Sequence, residues 1–294
     1  IEHINGLVSL SPKISSRFRQ LDFFLGVNAS VEADSTSYLR VYPLAGISAV
    51  IIPERLIVFA DLSGGLNKHS IYSLSRENPY MHTLLSMLRY ENTRSRVGGG
   101  IRGSISRYLS YEFSLYNSVI DNYAFFVNFN NIGVTDEGII PFHNSVTYYN
   151  TYDDIRRLHL HGGLQFQAGK SFRAAVTADY YQYGLDNEME AWHTPMFTSS
   201  LNMQYIFREK IILSADLFAR DAIIGQRLNP ASLTFEAYTF QDFHLDINFG
   251  LEYRYTRQLS VFANFNNVSN QPYERWMFTP SQGFNFLGGI SYSF

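Results

Sequence analysis

A transmembrane antiparallel β-barrel is the fold this 294-residue sequence predicts, on three observations. Apolar and polar residues alternate with a period of two in long runs, aromatics gather at the ends of those runs, and the connections are short and long in turn. A period of two sends successive side chains to opposite faces of a strand. The runs cover about 10–14 residues, against roughly 5–6 for an ordinary soluble strand and roughly 9–11 for a tilted strand that crosses a bilayer.

Composition narrows the alternatives. The chain holds 24 Phe, 21 Tyr and 2 Trp, yet no stretch approaches the roughly 20 apolar residues of a membrane helix. Its 23 Lys+Arg nearly balance 26 Asp+Glu, which argues against nucleic acid as a partner. Without cysteine there is no disulfide framework, thiolate metal site or cysteine nucleophile. No secretory h-region opens the chain, so a mature chain or a fragment is expected. No linker or low-complexity run divides it, and residues 1–294 read as one barrel domain.

Strands are expected at 5–17, 20–33, 38–51, 55–65, 96–108, 110–128, 144–168, 171–183, 195–207, 210–222, 242–256, 258–270 and 283–294. In 22–33, Phe23, Leu25, Val27, Ala29, Val31 and Ala33 oppose Asp22, Asn28, Ser30 and Glu32. In 157–168, Leu158, Leu160, Leu164 and Phe166 oppose Arg157, His159, His161, Gln165 and Gln167; in 242–255, Phe243 through Tyr255 oppose Asp242 through Arg254. Short connections fall at 17–20, 53–55, 107–110, 169–171, 208–210 and 256–258, and long ones at 66–96, 129–152, 184–194, 223–241 and 268–282. Short periplasmic turns and longer outer loops are the pattern of an outer-membrane barrel. Phe18, Tyr205, Phe207, Tyr253, Tyr255, Tyr292 and Phe294 lie near short turns or the terminus, where a periplasmic aromatic girdle belongs, ring in lipid and polar edge in water.

The last residues, "FNFLGGISYSF" (284–294), resemble the C-terminal signature of bacterial outer-membrane barrels, which implies the outer-membrane assembly machinery as a partner during insertion. Single-chain bacterial barrels have even strand numbers, and thirteen is odd. The chain therefore holds about 13–14 strands, with a miscount in 110–168 or further strands before Ile1; we favour the latter.

The segment 261–294, with Asn264, Asn266, Asn267, Tyr273, Glu274, Gly283 and Phe284, resembles the closing hairpin of TonB-dependent receptors. Gln282 precedes the glycine, where the family has an Arg after its own. Residues 152–218 are similar to such barrels of the Bacteroidota. The resemblance implies a 22-stranded barrel, a plug domain and a TonB box; neither of the last two can be placed in this sequence, so the chain would be the C-terminal portion of a larger barrel or a plugless relative.

Sites for chemistry are sparse. "GLQFQAGKS" (163–171) has one residue too many between its glycines for a phosphate loop and joins strand to strand. His159 and His161 share a face and would chelate a metal given a third donor, but Arg157 beside them raises the positive potential, so no metal site is assigned. "HNS" (143–145) lacks the context of a catalytic triad; no enzyme and no cofactor is expected. Asp186, Glu188, Glu190, Trp192 and His193 read as a solvated outer loop. The polar parity supplies the lumen-facing candidates Arg157, His159, His161, Arg173, Asp179, Asp216, Arg220, Asp246, Glu252 and Arg254. Their mixed signs suit a wall cross-linked by ion pairs rather than a pore selective for one sign of charge.

The expected function is substrate uptake through an integral barrel of a Gram-negative outer membrane. The alternative is a non-transporting scaffold or accessory subunit of an envelope complex. Expected partners are outer-membrane lipid and lipopolysaccharide, with TonB or envelope lipoproteins according to which reading holds.

Overall fold

Alternation becomes sheet from Gly6 onward. The structure, a computed structural model, describes residues 6–33, 37–84, 86–128, 131–135, 138–142, 146–229, 232 and 234–293. Strands β1 (Gly6–Leu10) and β2 (Lys13–Phe18) lie end to end along β3 (Leu21–Ala33). Pro12 separates them because it has no N–H to give the ladder. Its carbonyl accepts from Val27 N at 3.2 Å. Gly26 leaves room for this approach, since a Cβ there would come within 2.4 Å of the Pro12 oxygen.

The wall continues through β4 (Ser37–Ile52), β5 (Leu56–Lys68), β6 (Tyr90–Ser106) and β7 (Leu109–Asn128). A hairpin, β8 (Asn131–Thr135) and β9 (Gly138–Phe142), stands apart before β10 (Tyr148–Ala168), β11 (Phe172–Leu185), β12 (Phe197–Phe207) and β13 (Ile211–Arg220). A second hairpin, β14 (Ile223–Asn229) and β15 (Thr234–Gln241), precedes β16 (His244–Arg254), β17 (Leu259–Asn266) and β18 (Asn285–Tyr292). Every neighbouring pair is antiparallel, in the order β1-β3-β4-β5-β6-β7-β10-β11-β12-β13-β16-β17-β18 with β2 on β3. That gives the thirteen positions expected from alternation. Among the described residues no ladder joins β18 to β1 or β2, so both edges of the wall are open.

The register keeps one parity on each face. Leu160 pairs with Leu115 and Tyr180, and Leu213 with Tyr205 and Leu251, all large, apolar-bodied and exposed. On the other face Glu112 pairs with Arg102 and Gly163, and Asp216 with Asn202 and Asn248. The polar face is the concave one: Tyr90 Oη on β6 donates to the Gly6 carbonyl at 3.1 Å across three intervening strands.

Short turns need left-handed backbone. Arg208 and Glu209, with φ of 48° and 58°, lie in the three-residue turn between Phe207 and Ile211, where Lys210 N donates to the Phe207 carbonyl at 3.0 Å.

Three connections expected as loops carry structure: α1 (Ile71–Glu77) within 66–96, β8–β9 within 129–152 and β14–β15 within 223–241. α1 has a capping box, Ser70 Oγ accepting from Ser73 N while Ser73 Oγ accepts from Ser70 N. At seven residues it is too short for a helical period to register. β15 is exposed along most of both faces, so no alternation of burial is imposed on it. Several limits move as well: β6 starts at Tyr90 rather than 96, and β17 stops at Asn266 rather than 270.

Candidate functional site

The concave face is the candidate surface, and the register puts all ten polar candidates on it. Arg157, His159 and His161 come from β10, Arg173 and Asp179 from β11, Asp216 and Arg220 from β13, and Asp246, Glu252 and Arg254 from β16. They gather differently from the cross-linked wall expected. Asp179 turns to β10, its Oδ1 accepting from His159 Nε2 and His161 Nδ1, each at 2.8 Å. Asp216 accepts from Asn202 Nδ2 at 2.7 Å. Arg254 and Glu252 pair along one strand at 3.1 Å. Arg157 lies over the rings of Tyr123 and Tyr181, 5.7 and 6.0 Å from their centroids.

Arg220, His244, Asp246, Tyr273 and Asp179 line one cavity of about 410 Å³. Arg173 and Asp216 line a second of the same size with Gln165, Asn202 and Gln204. A third, of about 720 Å³, lies where Arg17, Asp22, Asp61, Arg102 and Glu112 converge. Its floor includes Gly46, over which the Phe24 ring lies so closely that a Cβ would meet it at 2.3 Å. Tyr116 Oη donates to Asp61 at 2.7 Å while Arg96 stacks 3.5 Å from the Tyr116 centroid.

Above the wall, long connections meet in an aromatic vault. Trp276, from the β17–β18 connection, packs against Phe126, Tyr148 and His193 with centroids 5.2, 5.5 and 5.5 Å apart. Leu74 of α1, Met81 and Met277 complete this cluster. Trp192 anchors a second one with Ile120, Phe125, Val127 and Ile155. The solvated-loop expectation is therefore overturned for Trp192 and His193, which are 1% and 7% exposed. Glu188 explains part of this, accepting from Trp192 Nε1 at 2.7 Å and Thr151 Oγ1 at 2.8 Å.

Asp153, buried at the upper end of β10, ties the same loop down. It accepts from the amides of Asp186, Asn187 and Glu188 at 3.0–3.1 Å. Burial raises its pKa, but the Glu188 amide, the Asn187 side chain and amide and the Asp154 amide outweigh it and hold the carboxyl below its usual value. His193 Nδ1 donates to the Phe126 carbonyl at 2.8 Å, and its Nε2 has no partner among the described residues. Burial pushes its pKa down to about 4, only partly offset by that hydrogen bond.

Sequence reasoning missed His244 and Tyr273 as site residues, although His244 carries the polar parity of β16. Their rings lie 4.5 Å apart on the cavity wall. Nothing in the sequence marks Trp276 as a vault residue, because its partners are distant in the chain. Phe18, Tyr205, Phe207, Tyr253, Tyr255 and Tyr292 project from the convex face, each more than a third exposed. Tyr108, Phe166 and Phe172 extend this ring belt at the short-turn end. Phe294 and residues 143–145 lie outside the described residues.

No family model and no curated protein matches the chain. Solved structures do. The pyoverdine outer membrane receptor FpvA from Pseudomonas aeruginosa PAO1 superposes with a TM-score of 0.69 at 15% identity, covering 98% of this chain and 42% of that one. The FrpB iron transporter from Neisseria meningitidis gives 0.68 at 12%, covering 97% and 45%. The ferric-catecholate import receptor Fiu from K12 E. coli gives 0.64 at 12%, covering 98% and 45%. These neighbours are TonB-dependent outer-membrane receptors rather than enzymes. The chain spans less than half of each, and at these identities the likeness is one of fold.

Proposed function

We propose that this chain is the C-terminal portion of a TonB-dependent-receptor-like barrel that takes up a substrate across the outer membrane of a Gram-negative bacterium of the Bacteroidota. The observation that carries the reading is the superposition of nearly the whole chain on less than half of such receptors, with both edges of its own wall unpaired among the described residues. Unpaired backbone groups cannot face hydrocarbon, so further strands, toward the 22 of the family, would close the ring. The ten polar candidates then line the lumen. The convex aromatics form the periplasmic girdle against lipid and lipopolysaccharide, and the assembly machinery inserts the barrel through its last strand. TonB would act through a plug encoded upstream.

One observation favours the second reading, a non-transporting scaffold bound to envelope lipoproteins. The long connections are packed into hydrophobic clusters against the upper ends of β7 and β10 rather than standing open as a vestibule. The deciding experiment is the intact mass of the native protein from outer membranes, with its N-terminal peptides sequenced. A long upstream extension containing strands, a plug and a TonB box supports uptake; a native chain beginning near Ile1 sinks it.

A further inference from the structure

We propose that His159, His161 and Asp179 form a binding site for a borderline divalent transition cation such as Zn²⁺, on the concave wall. The three side chains offer one ligand atom each, and these atoms all lie within 4.8 Å of one another. His159 and His161 stand two apart on β10 and so share a face. Asp179 is held opposite His161 by the β10–β11 ladder. Both imidazoles already turn one nitrogen toward the same carboxylate oxygen, at 2.8 Å each. A cation entering between them needs only modest side-chain shifts, with the ring protons moving to the far nitrogens. Two imidazoles and a carboxylate suit Zn²⁺, Ni²⁺, Co²⁺ or Cu²⁺ better than the hard, all-oxygen-seeking Ca²⁺ or Mg²⁺.

The surroundings orient the donors and leave the site accessible. The His159 ring stacks on Tyr181 at 4.4 Å and 11°, which limits its rotation. His161, His159 and Asp179 are 28%, 23% and 24% exposed, on the concave side. Asp179 also lines the 410 Å³ cavity, so remaining coordination positions would open toward water or a metal-bearing ligand. Arg157, the objection raised by the sequence, lies over the Tyr123 and Tyr181 rings; Tyr181 thus contacts both the guanidinium and His159. The site has three protein donors and open positions, the arrangement of an exchangeable rather than a closed structural centre. The inference does not depend on uptake, because binding is read on purified protein.

The test is isothermal titration of the full native chain in detergent, stripped with chelator, with Zn²⁺ alone. The expected result is one tightly held Zn²⁺ per chain. Because even the outer partners of metal ligands are worth about 10–100-fold in affinity, His161→Ala and Asp179→Asn should each weaken binding by at least about 100-fold. His69→Ala should leave it unchanged. His159→Phe, which keeps a ring on Tyr181 but removes the nitrogens, covers the case in which the alanine variant does not fold; heat-modifiable mobility on gels shows which variants are folded. Wild-type protein loaded with Cu²⁺ should also show two-nitrogen superhyperfine coupling by paramagnetic resonance. No Zn²⁺ uptake by wild type, undiminished binding in the folded variants, or a Cu²⁺ spectrum without imidazole nitrogen would each overturn the proposal.

Discussion

Tyr148 donates its hydroxyl to the Met277 carbonyl at 3.0 Å, across a sequence separation of 129 residues. This bond fastens the β17–β18 connection to the upper end of β10, a strand five places away along the wall. Both partners are buried, Tyr148 at 0% and Met277 at 2% exposure. Burial raises the Tyr148 pKa, so the hydroxyl remains a donor throughout the neutral range. Tyr148→Phe leaves a buried carbonyl unsatisfied and should cost about 1–3 kcal/mol. Hydrogen exchange should rise in residues 273–281 and not in the short turns at the other end.

His193 makes the vault sensitive to acid. Its folded pKa, about 4, lies below the unfolded value of about 6.5. The unfolded or opened state therefore binds the extra proton first, and stability is lost as pH falls from about 6.5 toward 4. The loss approaches about 3 kcal/mol at roughly 1.4 kcal/mol per unit. Both tryptophans of the chain, Trp192 and Trp276, sit in the vault, so intrinsic Trp emission is a local probe. A red shift on acidification that His193→Asn abolishes is the expected outcome; an identical shift in the variant would assign it to another group.

Asp153 should be the residue on which the β11–β12 connection depends. Asp153→Ala removes the acceptor of three backbone amides at once, and unpaired buried donors cost about 1–3 kcal/mol each when water cannot replace the partner. Limited proteolysis should cut within 186–194 in the variant and spare the wild type. Asp153→Asn keeps one acceptor oxygen and should fall between them.

The convex face is a solvent prediction. Leu160→Arg and Leu245→Arg place a charge among exposed apolar side chains and should cost about 2–4 kcal/mol near the bilayer midplane. Gln204→Arg, on the concave face beside Arg173, should fold into liposomes as wild type does. Equal folding yields for all three variants would remove the membrane assignment.

Much of the wall is legible in the sequence, because an apolar convex face and a polar concave one impose a two-residue period on strands such as β3, β11 and β16. Even the Asp179–His161 pairing follows from the short turn at 169–171, which fixes the register of that hairpin. What does not follow is the turn of Asp179 toward both histidines instead of Arg220, a choice made by side-chain rotamers. The vault is opaque for a different reason. Trp276, His193 and Leu74 meet through contacts between connections, which leave no period, and an acidic stretch such as 186–190 looks solvated until Asp153 and Glu188 gather its donors.

The length of β10 sets how far the wall would reach beyond a bilayer. Its 21 residues span about 70 Å, or about 50 Å along the bilayer normal at a tilt of about 45°, against an apolar band about 25 Å tall. Outward-facing apolar residues end at Leu158, and Arg156 is the next on that face. In an outer membrane, everything from Arg156 upward would project as a stiff parapet, held to its end by the β7 ladder, which runs to Tyr148 and Asn128, while the β11 ladder stops at Ile155 and Leu185. An approaching solute, phage tail or antibody would meet hydrogen-bonded masonry well above the lipid, rather than a yielding fringe of loops.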